Sequence, residues 1–319
     1  MKRIFITGAS GCIGHYIAET LINHTSYELY FLVRNPDKLL FDYNSRPGIH
    51  LIKEDLKNIN QLSNFLKTVN VAILAATSWG GDVESYEINV SSTMDLINLL
   101  DPEICQQIIY FSTASILNSN SKPLLEAKTL GTNYVRTKYQ CYIRLQELSI
   151  YNKIVTVFPT LVFGGEKDKP YSHLSGGIND VIKWINLIRF FKVDGSFHYI
   201  HAKDIAQIIK YVIQNPSLTL VNKDIVLGNK KTTVNEAVEK ICKYLDKQIY
   251  FRIPLSITLA NIFIKIFRLR MEAWDYFSMN YRHFTYKKTT IPFDFGINNY
   301  CTTIENLMTL SKIKKEKNQ

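Results

Sequence analysis

Residues 1–14 read MKRIFITGASGCIG, and the fold class turns on them. An apolar run, Arg3 to Thr7, meets glycines at positions 8, 11 and 14, and the spacing of Ile13, Ile17 and Leu21 beyond them predicts a helix. In the pattern Thr7-Gly8-x-x-Gly11-x-x-Gly14 each glycine has a physical use. Gly8 permits a tight turn, Gly11 lets backbone approach a pyrophosphate, and Gly14 lets helix and strand pack closely. The free N–H groups and dipole of the helix N-terminus then favour an anion. A purely structural strand-to-helix turn uses the same glycines, so the rest of the sequence has to separate the two readings.

Working outward, short apolar runs alternate with amphipathic segments: RIFIT (3–7), YELYFLV (27–33), IHLIK (49–53), VAILA (71–75), QIIYF (107–111) and IVTVF (154–158). Such alternation predicts βαβ units, and strands apolar almost throughout predict a sheet covered on both faces. The fold expected is α/β: a doubly wound parallel Rossmann sheet over 1–165, with 196–215 returning to it. Beyond Gly164 the alternation breaks down, and 166–195 with 216–319 are expected to form a smaller C-terminal α/β substrate domain.

At 319 residues and 46% hydrophobic, the chain can bury a substantial core. Its net charge of +10 is spread widely and suits an anionic partner such as a nucleotide; nucleic acid is not expected. The one dense basic run, KIKKEKNQ from Lys312, reads as a frayed terminus. Cysteines 12, 105, 141, 242 and 301 lack metal or redox spacing and read as reduced thiols of a cytoplasmic protein. His198 and His201 are three apart without a third ligand nearby, so no metal is expected. The apolar start MKRIFI stops short of a secretory core, and IPLSITLANIFI is too short to span a bilayer.

A dinucleotide reading makes a demand at the end of the second strand. An acid there bonds the ribose 2′-hydroxyl, whereas an arginine accommodates a 2′-phosphate. The sequence has Arg34, in FLVRNPDK, which favours NADP(H) while leaving NAD(H) possible. The third strand ends in Asp55-Leu56, placed either to reach the adenine or, through Asp55, to cap a helix.

In NYVRTK, Tyr134 and Lys138 stand four apart and share a helix face. A phenol of pKa about 10 is a poor proton shuttle at neutral pH, and a neighbouring ammonium is expected to lower it. Upstream, QIIYF ends in Ser112-Thr113-Ala114-Ser115, with hydroxyls at the carboxyl end of a parallel strand, where open α/β sheets bind ligands.

Taken in order, TGASGCIG, LAAT (74–77), Asn89 in NVSSTMDLINLL, YFSTAS, YVRTK, FPTLVFG and HYIHAKDIA resemble the extended short-chain dehydrogenases/reductases, over about residues 1–215. That group includes the NAD-dependent epimerase/dehydratase family, and the dihydroflavonol-reductase-like members are the nearest in pattern. The resemblance implies Tyr134 as acid/base, Lys138 as its partner and ribose ligand, and Thr113 as the residue orienting the reacting oxygen. It implies a cofactor held by Thr7, Gly8, Ser10, Gly11, Cys12, Ile13 and Gly14, by Ala75, Ala76, Thr77 and Asn89, and by Pro159 and Val162. His201 with Asp204 matches a structural motif near the site.

The chain also departs from many sugar-nucleotide epimerases. It has Phe158-Pro159 where they carry Arg-Pro, Leu117-Asn118 where they carry Tyr-Gly, and no acid after the second strand. The expectation is an NADP(H)-linked reductase or dehydrogenase acting on a small molecule. An NAD-dependent epimerase or dehydratase is the first alternative and a non-catalytic scaffold the second. Substrate contacts are expected from Trp79, after the fourth strand, and from Tyr171 and His173 in a glycine-flanked loop. The apolar segment 255–271 is expected to be buried on two sides or in a homodimer contact. The rival reading presents Ile257, Ile264, Phe267 and Met271 to a membrane surface.

Overall fold

Each of the six apolar runs forms a strand, and all but the edge strand over 49–53 bury residues on both faces. In the computed structural model, which describes residues 1–217, 223–266, 268 and 270–313, these are β1 (Arg3–Thr7), β2 (Glu28–Val33), β3 (Ile49–Lys53), β4 (Val71–Leu74), β5 (Gln107–Phe111) and β6 (Ile154–Pro159). Successive residues serve opposite layers, as the two-residue strand period requires. Ile4 and Ile6 of β1 enter one core, while Phe5 between them enters the other.

The first core lies beneath α1 (Cys12–His24), and the second beneath α2 (Ser92–Leu99) and α3 (Asn133–Leu145). After β6 come a short strand β7 (Leu161–Phe163), α4 (His173–Ile188), and β8 (Tyr199–His201), which pairs with β7 outside the main sheet. Helix α5 (Ala202–Gln214) then packs beside α1, placing Ile205, Ile208, Ile209 and Val212 in the first core. The returning segment thus covers the sheet as a helix.

The boundary expected at residue 216 is corrected by the next strand. β9 (Asp224–Leu227) pairs parallel with β6 and completes a seven-stranded sheet of order β9-β6-β5-β4-β1-β2-β3. It fixes the chain after β6, since Leu227 O accepts from both Thr160 N (3.0 Å) and Thr160 Oγ1 (2.8 Å). The order reverses between β1 and β4, and at such a switch point the strand ends diverge and leave a crevice.

A third core joins α4 to α6 (Val234–Tyr244) and, near the C-terminus, to α9 (Ile304–Leu310). Asp204 on α5 ties this layer to the first, accepting from Tyr300 N (2.6 Å) and Cys301 N (3.1 Å). Between α6 and α9 run α7 (Ile257–Ile266) and α8 (Ala273–Tyr281), neither of which has a buried residue. The expected burial of the 255–271 segment on two sides is therefore overturned; its Phe267 lies outside the described residues, as does the tail from residue 314. No helix among the described residues is long and apolar enough to cross a membrane.

Candidate active site

The turn after β1 is built by close backbone approach. Gly8 adopts φ +78°, and a Cβ there would stand 2.5 Å from Ala75 C and Ala76 N, at the end of β4. A Cβ on Gly14 would stand 2.1 Å from Gly8 O. Gly11 is the N-cap of α1 and offers no side-chain acceptor, and the first turn carries no acid. The orphan N–H groups there remain available to an anion. His15 braces the turn as a neutral ring: Nδ1–H donates to Gly11 O (3.0 Å) and Nε2 accepts from Leu40 N (3.1 Å), while burial lowers its pKa.

From this loop a cavity of about 520 Å³ runs along the crevice. It is lined by Thr7, Gly8, Ser10 and Gly11 after β1, by Ala75, Ala76 and Thr77 after β4 on one side, and by Arg34 after β2 with Asp55 and Leu56 after β3 on the other. Asp55 lines the cavity, and its Oδ1 caps the following 3-10 turn by accepting from Lys57 N (3.0 Å). Arg34 Nη1 lies 3.7 Å from Asp55 Oδ2, with 69% of the arginine side chain exposed.

A second cavity of about 660 Å³ shares Gly8, Gly11, Ala75, Thr77 and Trp79 with the first. Cys12, Ile13, Gly14, Pro159 and Val162 line it, as do Thr113, Tyr134 and Lys138. Tyr171, His173 and Trp79 complete the set expected from the sequence.

Helix α3 starts on Thr132, whose hydroxyl accepts from Val135 N (3.3 Å), and so sets Tyr134 and Lys138 one turn apart. Lys138 is buried, with Nζ donating to Phe111 O at the end of β5 (2.8 Å), and burial lowers its pKa to about 8. Tyr134 does not show the lowered pKa expected from Lys138. Burial pushes it up to about 12, partly offset by a hydrogen bond with the Thr113 side chain. The Trp79 indole stacks on the Tyr134 ring at 3.8 Å and 14°, and lies 4.8 Å from the His173 ring. Cys12 is held as a thiol, its pKa raised to about 12 by burial.

Asn89 is the one expected cofactor ligand that lines neither cavity among the described residues. It is fully buried, and its side chain accepts from Thr77 Oγ1 (3.0 Å) and Ser78 N (2.8 Å) and donates to Ser78 O (2.9 Å) and Thr137 Oγ1 (3.0 Å). It is a positioning residue that ties the loop after β4 to the helix carrying Tyr134. His198 is also structural, donating Nδ1–H to Asn229 O (2.7 Å) and accepting at Nε2 from Tyr286 N (3.2 Å). His201 caps α5 through Lys203 N (3.1 Å), and burial drops its pKa to about 4. Among the described residues no group of three or more His, Cys, Asp or Glu is arranged to hold a metal ion.

Several wall residues escaped the sequence reading, Lys38 and Trp274 among them. Lys38 joins Arg34 in the wall of the first cavity; its spacing of four after Arg34 was available as a signal. Trp274 of α8 lines the second cavity from 140 residues beyond Tyr134, and no local pattern marks it.

A family model described as the NAD dependent epimerase/dehydratase family matches residues 4–228. The short-chain dehydrogenase/reductase family 42E member 1 of Xenopus laevis is 25% identical over 151 residues, 43% of this chain; the match spans 38% of that protein's length. Two solved structures share the fold. The dTDP-glucose 4,6-dehydratase of Bacillus anthracis, in complex with NAD, superposes with a TM-score of 0.63 at 14% identity, covering 98% of this chain and 96% of that one. The UDP-glucose 4-epimerase of Thermotoga maritima, with UDP-glucose, gives 0.60 at 13% identity and 97% of each chain.

The clash at Gly14 yields a test. Gly14→Ala has to push α1 away from β1 and is expected to destabilise by about 1–3 kcal/mol, as overpacking does, and to weaken dinucleotide binding at least tenfold. Gly81→Ala, where an added Cβ meets nothing within 4 Å, should change neither. Thermal melts with and without dinucleotide read both effects.

Proposed function

We propose that this chain, which belongs to the NAD dependent epimerase/dehydratase family, uses NADP(H) to interconvert a carbonyl and an alcohol on an uncharged small molecule. The observation that carries this reading is the presence of Thr113, Tyr134 and Lys138 on the wall of a cavity continuous with the glycine loop. The loop suits a dinucleotide: its glycines leave the space that a Cβ would fill, and α1 opens without a side-chain cap. When bound, the nicotinamide supplies or accepts the hydride.

The chain's own residues manage the proton. In the reducing direction the Tyr134 hydroxyl gives its proton to the carbonyl oxygen, while the Thr113 hydroxyl orients that oxygen. Tyr134 is left as phenolate. With a pKa of about 8, Lys138 is mostly protonated at neutral pH and supplies the nearby positive charge that phenolate needs.

NADP(H) is supported by Arg34 and Lys38 in the wall of the first cavity, with no acid at the end of β2. The substrate class is supported by the second cavity, whose walls include Trp79, Leu161, Tyr171 and Trp274. Among the described residues lining it, Lys138 alone is a lysine or arginine. A nucleotide diphosphate calls for more cations than that. The five free cysteines, four of them buried, suit the reducing cytoplasm.

The family match favours one second reading, an epimerase or dehydratase that keeps NAD bound through its cycle. Release of NAD from the purified, denatured protein would establish it over the reductase.

Three measurements test the first reading. Tyr134→Phe should bind NADPH within about threefold of the parent yet lose roughly 10²–10⁴-fold in NADPH oxidation with ketone substrates; unchanged turnover removes Tyr134 from the chemistry. Arg34→Ala should reduce the preference for NADPH over NADH by about 10–100-fold, the worth of a charged hydrogen bond. The third is pH dependence. The Lys138 ammonium, which favours an anionic cofactor, is present below its pKa of about 8 and lost above it. The Kd for NADPH should be flat below that pH and rise above it, and Lys138→Met should bind more weakly with no such rise.

A further inference from the structure

Seven of the ten residues of α7, ITLANIFIKI, are isoleucine, leucine, alanine or phenylalanine, yet none of the ten is buried. Ile262 is 46% and Ile266 66% exposed. The helix belongs to a connected layer. Phe191–Lys192, just after α4, pairs with Ile253–Pro254 just before α7. Phe191 meets Phe263 edge-on at 5.9 Å, and Phe190 stacks on Phe251 at 5.0 Å. The same layer exposes Phe251, and α4 exposes Trp184 and Leu187, three apart on its outer face. The charge is one-sided: residues 247–271 include Lys247, Arg252, Lys265, Arg268 and Arg270 and no acidic residue. Arg252 is tied to Glu239 at 2.7 Å, while Lys265, Arg268 and Arg270 are exposed.

We propose that this layer, centred on α7, binds in the plane of a bilayer surface that carries anionic lipid. At 1.5 Å per residue the helix is about 15 Å long, half of what a spanning helix needs, so it lies in the interface. Exposed isoleucine with tryptophan and phenylalanine, rimmed by lysine and arginine, is the pattern that interface selects. The charge argues for lipid over a second copy of the chain. A two-fold contact sets the same patch against itself and brings its cations together, whereas anionic headgroups attract them. The layer leads directly into α8, whose Trp274 lines the second cavity.

Flotation of the full chain tests this with vesicles of phosphatidylcholine alone and with about a third phosphatidylserine. The chain should float with the second and not the first. Binding should fall at least tenfold in the double variant Ile262→Asp/Ile266→Asp, in Lys265→Glu/Arg268→Glu, and at about 0.5 M salt, where screening is strong. Because α7 buries no residue, thermal stability and NADPH affinity of these variants should match the parent, which separates this proposal from the redox reading. Three results overturn it: the parent stays unbound with both vesicles, the aspartate variants bind like the parent, or the parent forms a dimer that the aspartates dissociate. The last would assign the face to a second copy.

Discussion

Backbone meets backbone where β1 turns into α1, and most of the site follows from that contact. Gly8 lies so close to Ala75 and Ala76 that a side chain at position 8 would overlap them, and Gly14 lies equally close to Gly8. Thr7 locks the approach by accepting from Ala76 N through its hydroxyl (3.2 Å). With the strand ends held this way, the α1 N-terminus opens onto the crevice at the switch point, and the loop after β4 becomes a wall shared by both cavities. That loop is in turn tied by Asn89 to Thr137 on α3, between Tyr134 and Lys138. The glycine loop and the helix carrying Tyr134 and Lys138 are therefore parts of one hydrogen-bonded frame.

Burial dominates the electrostatics of Tyr134 and Lys138. It raises Tyr134 and lowers Lys138, so both groups move toward their neutral forms. Lys138 reaches the Phe111 carbonyl, and its Nζ lies 5.0 Å over the Tyr110 ring, which holds the ammonium in place without another ion. A phenolate formed in such surroundings is expensive without further positive charge beside it.

The sheet was legible in the sequence because both-faces burial writes an unbroken apolar run, and the first six strands fall within a residue of the runs. β9 carries a similar run, DIVLG, and only its pairing with β6 assigns it to the sheet. The glycine loop, Thr113, Tyr134 and Lys138 stand out in the sequence by their local spacing, and all of them line the two cavities. Asn89, expected at the cofactor, lies behind the loop after β4 and bonds Thr77, Ser78 and Thr137, a placement that no local spacing signals. Trp274 left no trace: its place depends on how the unburied α7–α8 segment lies against the second cavity, a tertiary fact without periodicity. The polar wheel of 255–271 was visible, but which surface covers its apolar side is decided by packing, and the packing leaves it open.

The two cavities meet at Trp79, where two unlike sets of walls adjoin. On one side lie glycine backbone, Arg34 and Lys38. On the other lie aromatic and aliphatic walls. Trp79 is 57% exposed even while it stacks on Tyr134. A stack of this kind adds about 0.5–1.5 kcal/mol beyond the area it covers, less than the burial of one sizeable apolar group, roughly 1.5–3 kcal/mol. Burying one such group against the phenol therefore outweighs the stack, so the contact between Trp79 and Tyr134 is a replaceable one.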